Sequence, residues 1–173
     1  MNNKLILTID PGEKGGIAVL DCGGKPVELV KMPDTPQDTL SVLKKYKGTD
    51  IHCFIEKVGG IPGQSATASF NFGKGYGELL MALLALELPT TLITPQRWQN
   101  ALGLRSLKGE TKTKHKNRIK AWSQRRFPGL RITLHTSDAL AIAAYILDYT
   151  NINQNRLSIT TSDSVSLTKK TAR

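Results

Sequence analysis

Cysteine is scarce in this chain. Its 173 residues hold two, Cys22 and Cys53, which form neither a CxxC motif nor a disulfide framework. A disulfide-stapled secreted scaffold is thereby excluded. A reducing compartment is expected, with Cys53 as a small buried hydrophobe. Long apolar runs are missing too. No stretch approaches the ~20 residues of a membrane span. The first apolar segment, Leu5 to Ile9, stops at Asp10, short of the ~7–15 residues of a signal-peptide core. No signal peptide, no membrane partner and a cytoplasmic location are expected. Acids are the third shortage: 14 Asp and Glu face 24 Lys and Arg, a net charge of +10.

That charge is concentrated. Between Arg97 and Arg131 stand eleven basic residues and one acid, Glu110, a surplus equal to the net charge of the whole chain. Clustering of this kind is the electrostatic footprint of a polyanion site. A merely solvated helix face usually carries acids as well. The rest of the composition is ordinary: 39% hydrophobic and 22% charged residues describe a soluble globular protein. A chain this long makes one domain, or one domain with a tail. It buries roughly two-thirds of its unfolded surface and needs no structural metal to fold.

Residues 4–10 alternate and are β-rich, which predicts a strand. Strands are also predicted over 17–21 and 27–32, joined by turns at Pro11-Gly12 and Gly23-Gly24. Three short strands on tight turns are antiparallel neighbours. A helix is expected over 37–47, with Thr35 and Pro36 at its start. A buried strand over 51–56 ends in Glu56, and 57–68 reads as a loop. Residues 77–88 are apolar nearly all round and predict a helix that is buried or in a subunit interface. A strand over 90–94, a short helix to Leu102, a basic helix over 112–127, an extended piece at 131–134 and a last helix over 137–149 follow. The order is mixed α/β, with helical crossovers between parallel strands. Residues 1–150 form the expected domain. Residues 151–173, with eight Ser or Thr, read as a flexible polar tail.

Asp10 and Glu56 each close a predicted strand, and ligand sites in α/β sheets lie at such carboxyl ends. Asp138 falls in the first turn of the last helix, with His135 three residues earlier. Carboxylates gathered at one spot raise each other's pKa. A hard cation such as Mg²⁺ relieves that conflict, and a pair of ions suits in-line phosphoryl displacement. Each residue alone has a plainer reading. An Asp before Pro-Gly is a common turn former. A strand-end Glu is often simply solvated. Ser137 and Asp138 make an ordinary capping pair, and a lone His is more often a surface or core residue than a ligand. The four together, with the basic segment leading into them, favour chemistry.

The stretches TIDPGEKGGIAVLD (8–21), FIEKVGG (54–60) and HTSDALAIAAY (135–145) resemble the RuvC-type Holliday junction resolvases of the ribonuclease H-like superfamily. IPGQ (61–64), FNFGKGYGE (70–78) and ITPQRWQNALGL (93–104) resemble the branch common in phage genomes. The resemblance covers about residues 4–150. It implies an α/β, ribonuclease H-like fold: a five-stranded mixed sheet, three antiparallel strands then parallel ones, flanked by helices. It implies a homodimeric endonuclease that resolves four-way DNA junctions by paired symmetric nicks with Mg²⁺, two ions, Mn²⁺ substituting. Its place would be the nucleoid or an infected cell's cytoplasm. Asp10, Glu56, His135 and Asp138 match its catalytic and metal-binding positions. His135 either completes a metal shell or carries a proton near neutral pH. The expected DNA-contacting set is Gln64, Phe70, Phe72, Arg97, Lys108, Lys112, Lys114, Lys116 and Arg118.

One departure stands out. Some members carry a junction-stacking aromatic three residues after the strand-four acid, where this chain has Gly59. Phe70 or Phe72 takes over stacking, or both are core residues. Three other readings stay open: a nuclease of the same fold acting on other branched DNA or structured RNA, a non-catalytic DNA-binding module, and an actin-like ATPase. The last needs two such domains and a second phosphate loop.

Overall fold

The computed structural model describes residues 4–59, 63 and 65–149. Gln64 and the expected tail at 151–173 lie outside the described residues. Five strands form one sheet: β1 (Leu5–Asp10), β2 (Gly16–Asp21), β3 (Pro26–Lys31), β4 (Ile51–Glu56) and β5 (Thr90–Ile93). Their spatial order is β3-β2-β1-β4-β5. β1, β2 and β3 are antiparallel neighbours, while β4 runs parallel to β1 and β5 parallel to β4. The mixed sheet expected from the sequence is therefore present.

β1 sits at the centre, with every residue from Ile6 to Asp10 buried. Its period-two alternation sorts side chains onto two faces. Leu7 and Ile9 join Ile17, Val19, Cys53 and Ile55 on one face. That face is covered by α1 (Pro36–Lys44) and α2 (Ala66–Ala85). Ile6 joins Ala18, Leu20 and Phe54 on the other. There lie α3 (Pro95–Ala101), α4 (Lys112–Arg126) and a last helix, α5, over 137–149. Ala139, Ala141, Ala143 and Ala144 of α5 are fully buried. Such small side chains let a helix backbone lie close to its neighbours.

Two local expectations need correction. The loop expected over 57–68 ends early, because α2 begins at Ala66 and runs through Phe70, Phe72 and three glycines. Those glycines lower helix propensity. The helix forms all the same, with the Ser65 hydroxyl accepting from the Ala68 N–H at 3.2 Å and Leu79 and Leu83 buried beneath it. The helix expected over 77–88 therefore starts earlier, and part of its apolar surface is bare: Met81 and Leu84 are 63% and 71% exposed. Its end is a left-handed cap. Glu87 has φ 58, and the Leu88 N–H reaches back to the Leu83 carbonyl at 3.0 Å. The segment 131–134 enters no sheet and leads into the turn before α5. Among the described residues no helix is long and apolar enough to cross a membrane.

Candidate active site at the strand ends

β1 and β4 finish side by side. Their parallel register pairs Ile9 with Ile55, so Asp10 and Glu56 follow on adjacent strands, whose usual spacing is about 4.8 Å. Alternation sends both side chains to the face covered by α3, α4 and α5. Each of those helices contributes one group. Lys116 of α4 places its Nζ 2.7 Å from Asp138 Oδ2 and 3.4 Å from Asp10 Oδ2. Trp98 of α3 donates its indole N–H to Glu56 Oε1 at 2.8 Å. Asp138 of α5 also accepts from the Ser137 hydroxyl through Oδ1 at 3.0 Å.

The start of α5 is fixed from two sides. The buried Thr8 hydroxyl on β1 donates to the Ala139 carbonyl at 2.8 Å, and the buried Ser123 hydroxyl on α4 donates to the Ser137 carbonyl at 3.0 Å. Asp138 lies between these two anchors. The Gly15-Gly16 pair serves the same packing. A Cβ at Gly15 would stand 1.9 Å from the Asp10 carbonyl oxygen, and one at Gly16 would stand 2.7 Å from that of His135. Only glycine lets the turn after Asp10 close against both segments.

Burial dominates the electrostatics. Asp10 and Asp138 are each 7% exposed. Burial, then the Asp138 charge, pushes the Asp10 carboxyl up to about 8, with Glu56 adding to the effect and Lys116 opposing it. Burial also raises Glu56, against the pull of the Trp98 N–H. Burial pulls Lys116 down, but the Asp10 and Asp138 carboxylates outweigh it and hold the ammonium above its ordinary value. Three acids with one cation leave the cluster short of positive charge. His135 is half-buried, and its Nδ1 is buried with no partner among the described residues. Among those residues no three His, Cys, Asp or Glu side chains are gathered closely enough to hold a metal ion as they stand. The Lys116 ammonium takes the place between two of the acids.

The other candidate residues scatter. Lys108, Lys112 and Lys114 are exposed, and Lys112 lies one turn before Lys116 on α4. Arg118 is tied to Glu110 by two bonds, Nε to Oε1 at 2.9 Å and Nη2 to Oε2 at 3.0 Å. Arg97 donates to the Tyr145 hydroxyl at 2.7 Å. Phe70 is 70% exposed. Phe72 packs on the turn after Asp10, where a Cβ at Gly12 would stand 3.1 Å from its ring. Two members of the cluster were not legible as such. Trp98 falls in the resembling stretch 93–104 and Lys116 in the expected DNA-contacting set, but nothing in the sequence ties either to a particular acid.

No protein-family model matches the chain, and no curated protein matches it either. Solved structures do. A structure of Thermus thermophilus RuvC matches with a TM-score of 0.55 at 19% identity, covering 86% of this chain and 96% of that one. T. thermophilus RuvC in complex with a Holliday junction substrate matches with a TM-score of 0.57 at 17% identity, covering 87% and 96%. The likeness, which spans most of both chains, establishes the fold: this protein has the ribonuclease H-like architecture of RuvC.

Proposed function

We propose that the protein is a divalent-cation-dependent endonuclease that resolves four-way DNA junctions by paired nicks. The observation that carries this reading is the convergence of Asp10, Glu56 and Asp138 at one end of the sheet, with Lys116 between two of them. The three carboxylates, two of them with raised pKa values, are oxygen donors that suit a hard cation; the buried Nδ1 of His135 lacks a partner among the described residues. Asp10, Glu56, His135 and Asp138 would hold one or two Mg²⁺ ions, Mn²⁺ substituting. Bound there, the cation supplies the charge that stabilises attacking and leaving oxygens in phosphodiester hydrolysis.

The chain's own residues do the rest. Lys116, which meets Asp10 and Asp138 in this cluster, would neutralise the phosphate being cut. Lys112 and Lys114 lie in the first turn of α4, which holds no acid, so backbone N–H groups and ammonium ions would act together on a phosphate. Phe70, bare on α2, is available for base stacking. The exposed Met81 and Leu84 on the same helix support a two-fold dimer through α2, which would present two sites for paired nicks.

The test is a gel assay of the purified protein on a synthetic four-way junction, with linear duplex and structured RNA as competitors. Junction cutting with Mg²⁺ and none with EDTA supports the reading. Binding without cutting makes the protein a non-catalytic module, and preferential cutting of RNA replaces the substrate.

A further inference from the structure

We propose that Trp98 is a positioning residue: its buried indole N–H sets the Glu56 carboxylate in the orientation that binds the divalent cation. The inference rests on the reading of Glu56 as a cation ligand. It starts from an inequality among the three acids. Asp10 and Asp138 both meet the Lys116 ammonium, a positive charge that an entering cation would repel. Glu56 is held instead by a neutral donor, at 2.8 Å to Oε1. That bond survives the arrival of positive charge. The other oxygen, Oε2, has no hydrogen-bond partner among the described residues.

The donor is also rigid. Trp98 is fully buried in the apolar cluster that holds Ile93, Leu104, Ile119 and Leu140. The indole is a donor only, so the bond has one possible direction. Glutamate has three side-chain torsions, and a fixed partner removes most of that freedom before the cation binds. Apolar neighbours do not require an indole: phenylalanine would fill most of the same space with no N–H. Groups that orient ligands in this way typically change metal affinity or activity by 10–100-fold when removed.

The experiment uses the full chain, stripped of metal, and measures Mg²⁺ binding by calorimetry. Trp98→Phe should weaken Mg²⁺ binding about tenfold or more and lower kcat on a four-way junction, with KM for the junction unchanged. Leu20→Val, in the same cluster at the far end of β2, serves as the stability control. It should lower the melting temperature and leave Mg²⁺ affinity alone. In a Glu56→Ala background Trp98→Phe should cost no further Mg²⁺ affinity. With Trp122→Phe, Trp98 is the sole tryptophan, and its emission should shift as Mg²⁺ saturates. If wild type binds Mg²⁺ and cuts while Trp98→Phe binds Mg²⁺ within twofold of it, or if the losses from Trp98 and Glu56 simply add, Trp98 is only a core residue and the proposal is overturned. If wild type neither binds Mg²⁺ nor cuts, the functional reading fails and the positioning role falls with it.

Discussion

The Lys116 ammonium stands 2.7 Å from Asp138, on the most buried helix, and also meets Asp10, on the central strand, at 3.4 Å. One lysine thus joins two acids that burial would otherwise set against each other. It stabilises the metal-free cluster, yet it leaves Asp10 with a raised pKa, because desolvation and the Asp138 charge outweigh it.

A pH dependence of stability follows. The Asp10 carboxyl lies at about 8 in the folded protein against an ordinary 3.8. Between those values the folded state keeps a proton that the unfolded state has lost, so this group's contribution falls as pH rises through the window. In EDTA, Asp10→Asn should exceed wild type in melting temperature by a margin that grows from pH 5 to pH 8. His52, which burial and Lys4 hold below its ordinary value, titrates in the opposite sense but is common to both proteins. Mg²⁺ should stabilise wild type more at pH 8 than at pH 5. Equal melting curves for the two proteins at every pH would remove the buried, protonated Asp10 from the account.

The lysines of α4 should separate by position. Lys112→Gln with Lys114→Gln removes two exposed charges. Binding to junctions and duplexes should weaken alike, and the log–log salt slope should drop by roughly 0.9 per lost contact. Lys116→Gln should instead depress cutting, with a smaller change in slope, because this ammonium faces carboxylates. Salt titrations of binding beside single-turnover cutting rates distinguish the two. An unchanged slope in the double variant would make the first turn of α4 a solvated face.

Glu87 offers a prediction away from the site. It holds φ 58 at the end of α2, a conformation that costs an L residue about 1–2 kcal/mol and glycine far less. Among the described residues its carboxylate pairs only with Lys47, at 4.0 Å, with both side chains exposed, a pair of little worth. Glu87→Gly should therefore raise stability by up to about 1 kcal/mol and leave cutting unchanged. A thermal melt that drops would show that the Glu87 side chain matters more than its backbone.

Much of this arrangement is legible in the sequence. Strand alternation placed β1, β2, β3 and β4 within a residue of their observed ends, because period-two burial leaves a clear mark. Asp10 and Glu56 were readable as a pair because both acids close buried strands. α2 was harder. Gly73, Gly75 and Gly77 look like loop residues, and only packing of Leu79 and Leu83 on the sheet explains a helix that long. Trp98 and Lys116 were illegible as partners of specific acids. They come from helices 42 and 22 residues away in sequence from Glu56 and Asp138, and no local pattern encodes such contacts. Arg118 shows the converse: a basic residue in a basic segment, held to Glu110, whose carboxyl that bond and the Leu107 N–H bring down to about 2.

The metal-cluster role of Asp10 is tested by the cutting rate of Asp10→Asn on a four-way junction with Mg²⁺, measured beside junction binding. The substitution removes one negative ligand with almost no change of shape, so the fold and the basic surface of α4 persist. Wild-type or tighter junction binding and no detectable cutting are expected. A variant that binds normally and cuts within about tenfold of wild type would contradict that role, since each 1.36 kcal/mol of transition-state stabilisation is worth a factor of ten and a lost cation ligand should cost far more.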